Sequence, residues 1–80
     1  MNDMITEVMF FGQLTDITGN TRLEVKDAKD TDSLKEKLFQ QYPALSRAKF
    51  RIAVDNKLVN DNTAINAGSK IAFMPPFSGG

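Results

Sequence analysis

The fold is decided by the stretch Thr31-Asp32-Ser33-Leu34-Lys35-Glu36-Lys37-Leu38-Phe39-Gln40-Gln41-Tyr42-Pro43. Its apolar residues Leu34, Leu38 and Tyr42 recur at every fourth position, which predicts an amphipathic helix with one apolar stripe. The polar residues at 31–33 are typical of a helix N-terminus. Pro43 is expected to end the helix, because the residue before a proline is pushed out of the α region.

Segments with the alternation of β-strands lie on both sides of this helix. Before it come two predicted strands joined by a turn over residues 15–20, and after it come three. This order predicts an α+β domain, with a mixed sheet of four to five strands and one main helix on one face. That is the arrangement of the β-grasp, or ubiquitin-like, fold. The predicted strands cover residues 5–11, 22–26, 50–54, 58–59 and 70–74.

A single helix covers one face of a sheet, so alternation divides the apolar residues into two sets. The set predicted to face the helix and form the core is Val8, Phe10, Leu23, Val25, Phe50, Ile52, Val54, Ile71 and Phe73, with Leu34, Leu38 and Tyr42 from the helix. The set left uncovered is Met9, Phe11, Ala53, Ala72 and Met74, with Leu58 nearby. Exposed Met and Phe side chains favour a partner-binding surface. The alternatives are a one-residue register shift, which exchanges the faces, or loops that cover part of the set.

The composition restricts the classes of function. The chain has 80 residues, which predicts one domain over 1–80, and its ten basic residues balance ten acidic ones. Because the charges balance, no nucleic-acid partner is expected. No stretch approaches the roughly 20 apolar residues of a membrane span, so no membrane partner is expected either. The absence of Cys and His excludes disulfides, thiol nucleophiles, Ser-His-Asp triads and the common zinc sites, and no metal site is predicted. The polar, acidic start is unlike a signal peptide. We therefore expect a cytoplasmic protein that is not an enzyme on its own.

The last six residues, Pro75-Pro76-Phe77-Ser78-Gly79-Gly80, favour a specialised C-terminus. The two terminal glycines have no Cβ, so they can pass through a narrow channel and present a carboxylate that no side chain crowds. The two prolines stiffen the exit from the last strand, and residues 77–80 are expected to form a flexible tail. These features suit a terminus delivered into the active site of another protein; the alternative is an ordinary frayed end.

Three segments carry a resemblance to a known family. They are Val8-Met9-Phe10-Phe11-Gly12-Gln13-Leu14, Ile52-Ala53-Val54-Asp55, and the final Ile71 to Gly80, with its Pro-Pro-x-Ser-Gly-Gly ending. In these segments the sequence resembles the small, sulfur-carrier subunits of molybdopterin synthase, over nearly the whole chain. The helix matches only in its pattern.

The resemblance implies a carrier whose C-terminal glycine is adenylated by a ubiquitin-activating-like partner using ATP and then converted to a thiocarboxylate. A sulfur donor protein provides the sulfur. The loaded carrier then docks on the large subunit, in a heterotetramer, and gives sulfur to cyclic pyranopterin monophosphate to form the dithiolene. No cofactor is implied to be bound permanently; the AMP adduct and the thiocarboxylate sulfur are transient.

The resemblance also assigns roles to single residues. Gly80 matches the thiocarboxylated glycine and Gly79 the threading glycine before it. The resemblance places partner-binding positions at Phe11, Leu58 and Met74. The uncovered face and the C-terminal segment add Met9, Pro75, Pro76, Phe77 and Ser78 to the expected partner-binding residues. Thr15 is a departure, because relatives have an arginine there that helps to engage the activating enzyme.

Two other classes of function stay open from the sequence. One is a different carrier or tag of the same fold: a sulfur carrier for thiamine or tRNA thiolation, or a ubiquitin-like protein modifier. The other is an interaction module without chemistry at its terminus. Deletion of Gly80 separates them, since a carrier or modifier loses its function and an interaction module does not.

Overall fold

The computed structural model describes residues 5–76, which build a five-stranded mixed sheet. The first and last strands along the chain lie side by side and are parallel, whereas all other neighbouring pairs are antiparallel. The predicted β-grasp topology is thereby confirmed. The strands are β1 (Ile5–Phe10), β2 (Arg22–Lys26), β3 (Arg51–Val54), β4 (Lys57–Val59) and β5 (Lys70–Met74), in the spatial order β2-β1-β5-β3-β4.

The described chain has two α-helices, α1 (Gln13–Thr18) and α2 (Thr31–Gln41), and α2 is the helix that the sequence predicts. Its N-cap is Asp30, whose side chain accepts a hydrogen bond from the Ser33 backbone nitrogen at 2.8 Å. It ends before Pro43, as expected, and Pro43 then begins a 3-10 helix (Pro43–Arg47). No helix within residues 5–76 is long and apolar enough to cross a membrane.

The core lies between α2 and one face of the sheet, as predicted. Rings connect the two layers: the centroids of Phe39 and Phe50 are 6.2 Å apart, and those of Phe50 and Phe73 are 4.9 Å apart. The predicted core residues that are buried are Val8, Phe10, Val25, Leu34, Leu38, Ile52, Val54, Ile71 and Phe73, while Leu23, Tyr42 and Phe50 are half-buried against them. The connections add Leu14, Ala28, Leu45 and Ile65.

The prediction of a turn over 15–20 is wrong. Residues 13–18 form α1, which buries Leu14 and Thr18 on one side and ends at Gly19 with a left-handed φ of 73°. The helix forms because Leu14 has a place in the core and Gly19 supplies the left-handed cap without steric cost. The first strand also ends one residue earlier than predicted, at Phe10.

Candidate functional site

The chain leaves the sheet at the end of its central strand, β5. Past the last register pair, Phe10 and Phe73, the ladder between β1 and β5 is extended by a hydrogen bond from the Phe11 backbone nitrogen to the Phe73 carbonyl oxygen, at 3.1 Å. Pro75, half-buried, and Pro76, exposed, then lead away. The predicted site residues Phe77, Ser78, Gly79 and Gly80 lie outside the described residues. The exit is therefore fixed to the middle of the fold and not to an edge.

Gly12 lies against Pro75 at this exit. Its backbone has φ 59° and ψ −139°, a conformation essentially restricted to glycine. A Cβ at Gly12 would lie 2.6 Å from Cγ of Pro75. The start of α1 holds the glycine in place, because the Thr15 backbone nitrogen donates to the Gly12 carbonyl oxygen at 3.1 Å.

The face of the sheet opposite α2 carries the predicted partner surface, which we call the open face. Across its centre the strand register aligns one residue from each strand: Arg22, Met9, Ala72, Ala53 and Leu58. Leu58 is 50% exposed, and Phe11, just after β1, is 43% exposed. Met9, Ala72 and Met74 are half-buried.

Ala53 is the exception on this face, because it is buried, with only 6% of its surface exposed. The register places it between Leu58 and Ala72 on the neighbouring strands. A methyl group flanked on both sides by larger or equal side chains contributes little accessible surface. The expectation of an uncovered Ala53 is thus wrong, although the alternation that places it on this face is right.

An open groove of about 470 Å³ lies at the end of the open face, beside the chain exit. Apolar side chains line much of it, and Arg22 is the charged residue among its lining residues, which are Met9, Phe10, Phe11, Gly12, Thr15, Thr21 and Arg22. The Arg22 guanidinium lies 3.3 Å from the Glu7 carboxylate. At Thr15, the position noted above as a departure from the resemblance, the hydroxyl donates to the Phe10 carbonyl oxygen at 3.2 Å and closes the end of β1.

The predicted partner-binding residues thus fall into two places. Phe11, Met74, Pro75 and Pro76 surround the chain exit, whereas Leu58 lies three strands from β1, roughly 14 Å away at ordinary strand spacing.

Sequence reasoning missed Gly12 and the groove. The pair Leu14 and Thr18, followed by Gly19, was the available indication of the short helix that builds this corner. Within residues 5–76 no three His, Cys, Asp or Glu side chains are grouped so that they could hold a metal ion.

Comparison with known proteins connects this architecture to one family. Residues 8–80 match the model of the ThiS family. The molybdopterin synthase sulfur carrier subunit of Haemophilus influenzae is 31% identical over 78 residues, covering 91% of this chain and 96% of that protein. The Escherichia coli molybdopterin synthase sulfur carrier subunit is 30% identical over 79 residues, covering 92% of this chain and 98% of that protein.

Two solved structures add to these sequence matches. The small archaeal modifier protein 1 of Methanosarcina acetivorans superposes with a TM-score of 0.81 over the full length of both chains; at 18% identity it shows the fold alone. A complex of subunits 1 and 2 of the molybdopterin-converting factor from Helicobacter pylori contains a chain that matches with a TM-score of 0.71 at 28% identity, covering 96% of this chain and 100% of that chain. The protein described here therefore belongs to the ThiS family, with molybdopterin synthase sulfur carrier subunits among its relatives.

Proposed function

We propose that this protein is the sulfur carrier subunit of a molybdopterin synthase. The observation that carries the proposal is the chain exit, where the central strand of a ubiquitin-like sheet leads through Pro75-Pro76, beside an exposed apolar face, toward Gly79-Gly80. Relatives with the name of such a subunit match over nine-tenths of the chain, which supports the assignment.

The proposed chemistry takes place at the Gly80 carboxylate. A carboxylate is unreactive toward a sulfur nucleophile until its oxygen becomes part of a leaving group. In the first step the carboxylate attacks the α-phosphorus of ATP, forms an acyl-adenylate and releases pyrophosphate. Sulfur delivered at the oxidation level of sulfide then attacks the acyl carbon and displaces AMP, which leaves a thiocarboxylate and a proton.

The loaded terminus then transfers its sulfur to cyclic pyranopterin monophosphate. Each carrier brings one sulfur, so the two sulfurs of a dithiolene require two loaded carriers. Hydrolysis of the acyl–sulfur bond returns the Gly80 carboxylate for another cycle. The catalytic groups belong to the partners in this scheme, so the carrier itself is a substrate and not a catalyst, and a cytoplasmic pool of ATP supplies the activation.

The open face is the proposed docking surface for the partners that receive the terminus. Phe11 and Leu58 offer exposed apolar side chains about three strands apart, and Met74 lies beside the exit. A solved relative is a complex of two molybdopterin-converting factor subunits, which supports a large-subunit partner for this chain. A ubiquitin-activating-like adenylyltransferase and a sulfur donor protein complete the proposed set.

The first test is the intact mass of the purified chain after incubation with its activating enzyme, ATP and a sulfide donor. The wild type is expected to gain the mass of one sulfur in place of one oxygen. A chain lacking Gly80 is expected to gain nothing, and Gly68→Ala, at a turn with no atom within 4 Å of the new methyl group, is the loading control. Failure of the wild type to load with an enzyme shown to be active would refute the proposal.

A second step distinguishes the proposed role from other roles of this fold. Loaded carrier mixed with the large subunit and cyclic pyranopterin monophosphate is expected to yield dithiolene product while its mass returns to the starting value. Sulfur transfer to thiazole or tRNA instead, or isopeptide bonds to lysines of other proteins, would assign the chain to a different carrier or to a modifier.

A further inference from the structure

We propose that Gly12 is a positioning residue: acting through Pro75, it sets the direction in which the chain leaves the sheet toward Gly80. The inference rests on the proposed function, because the direction matters only if the terminus is delivered into a partner. Gly12 does not belong to the terminus itself and lies 68 positions before Gly80 along the chain.

The contact between the two residues leaves no space for a side chain. A Cβ on Gly12 would lie 2.6 Å from Cγ and 3.4 Å from Cδ of Pro75. Real Cβ atoms essentially never approach another carbon to within 3.0 Å. The proline ring is closed onto its own backbone nitrogen, so it cannot swing aside as a long side chain would. Relief of the contact therefore moves the backbone at Pro75.

Gly12 is itself held on both sides, so it acts as a fixed support. The preceding residue, Phe11, donates its backbone N–H to Phe73 at 3.1 Å and accepts from the Leu14 backbone nitrogen at 3.2 Å. Leu14 is fully buried and anchors α1 in the core. In the same turn the Thr15 backbone nitrogen donates to the Gly12 carbonyl oxygen, and the Thr15 hydroxyl donates to the Phe10 carbonyl oxygen. Of the two residues in contact, Pro75 is therefore the one that has to move.

The direction of the chain at Pro75 limits where the reacting carboxylate can reach. Four residues follow Pro76, and four residues span at most about 14 Å, so they have little length with which to correct a wrong direction at the exit. A misplacement of about 1 Å can lower a reaction rate by as much as about 100-fold. Gly12 thus combines a backbone conformation and a lack of side chain that together define the approach of the terminus.

The test is a double-mutant cycle of Gly12→Ala and Pro75→Ala, read out as the initial rate of thiocarboxylation by intact mass at limiting and saturating carrier. Gly12→Ala is expected to lower the rate at limiting carrier by about tenfold or more. Pro75→Ala removes the ring atoms nearest Gly12, so in its background the further effect of Gly12→Ala is expected to shrink to less than about threefold.

The matched controls are Gly19→Ala and Gly68→Ala. Both glycines have positive φ, at 73° and 86°, and a methyl group at either meets no atom within 4 Å. They therefore add backbone strain without touching the exit, and they are expected to load at the wild-type rate below their melting temperatures. Equal losses in these controls, a wild-type rate for Gly12→Ala, or an undiminished effect in the Pro75→Ala background would each overturn the proposal.

A direct measurement separates this inference from the proposed function. Nuclear Overhauser contacts between the α protons of Gly12 and the ring protons of Pro75 are expected in the free wild-type protein. Their absence overturns the positioning role, whatever the loading assay gives. Their presence in a wild type that never loads leaves the contact established and refutes the carrier function instead, together with the delivery role that depends on it.

Discussion

Asn62 donates a hydrogen bond from its side-chain nitrogen to Oδ2 of Asp30, at 3.2 Å, and so ties the loop before β5 to the start of α2. The other carboxylate oxygen of Asp30 accepts from the Ser33 backbone nitrogen at 2.8 Å. The Asn62 side-chain oxygen accepts in turn from the Asp32 backbone nitrogen at 2.9 Å. Two side chains from distant parts of the sequence thus satisfy N–H groups that a helix N-terminus leaves without partners.

This arrangement predicts a pH dependence of stability. The backbone N–H of Ser33, then the Ser33 side chain and Asn62, lower the pKa of Asp30. The folded pKa therefore lies below the unfolded one, so the stabilisation is complete above the unfolded pKa and is lost as the pH falls through the folded pKa. Asp30→Asn keeps a capping oxygen but does not titrate. Its melting temperature is expected to fall less than that of the wild type between about pH 5 and pH 2; parallel curves would contradict this assignment.

Thr6 predicts a stabilising substitution. Its hydroxyl is fully buried and, alone among the buried side-chain polar atoms of residues 5–76, has no hydrogen-bond partner. Thr6→Val keeps the shape and removes the unsatisfied hydroxyl, so the free energy of unfolding is expected to rise by about 1 kcal/mol. Thr6→Ser keeps the hydroxyl and loses a methyl group, so it is expected to fall by about 1 kcal/mol. Denaturant unfolding of both variants measures the pair, and a Thr6→Val protein less stable than the wild type would show that the hydroxyl has a partner.

The open face predicts a selective loss of binding. Leu58→Ser and Phe11→Ser each remove an exposed apolar side chain and are expected to weaken association with the large subunit by about tenfold or more. Ile5→Ser is the matched control: Ile5 is equally exposed, at 43%, on the same side of β1 as Met9 but about 20 Å from Phe11 along the strand. Titration calorimetry compares the three. Equal weakening by Ile5→Ser would contradict a docking surface that includes Phe11 and Leu58 but not the far end of β1.

Loss of the Thr15 hydroxyl is predicted to destabilise the turn between β1 and α1, beside the groove. Thr15→Val removes the hydroxyl that donates to Phe10 and is expected to lower the free energy of unfolding by about 1 kcal/mol. Thr15→Ser retains the donor and is expected to cost less. Amide hydrogen exchange at residues 11–15 locates the effect, and faster exchange spread evenly over the sheet would contradict a local role.

The features predictable from the sequence are those with a repeating pattern. The four-residue spacing of Leu34 and Leu38 locates α2, and alternation in β1 and β5 separates core from open face. The short helix α1 is not predictable in this way, because its six residues include only two buried side chains and cover too little of the helical period. Ala53 has the right parity, but its burial depends on Leu58 and Ala72, which only the strand register brings beside it.

The contact of Gly12 with Pro75 is beyond the reach of any local pattern. It requires β1 and β5 to be parallel neighbours with Phe10 opposite Phe73. It also requires the turn after β1 to adopt the glycine conformation that α1 imposes. The sequence predicts partner-binding residues at the exit, whereas the position of Gly12 against Pro75 follows from the strand pairing alone.

The position of β5 also couples completion of the fold to availability of the terminus. During synthesis, residues 5–59 emerge first and supply two hairpins, β1–β2 and β3–β4, which have no strand between them until β5 arrives. Contacts so distant in sequence form late in folding. The strand that joins the hairpins is the same strand that holds Pro75 beside Gly12. A truncated or misfolded chain therefore lacks a correctly presented exit, so the exit forms only in a molecule whose sheet is complete.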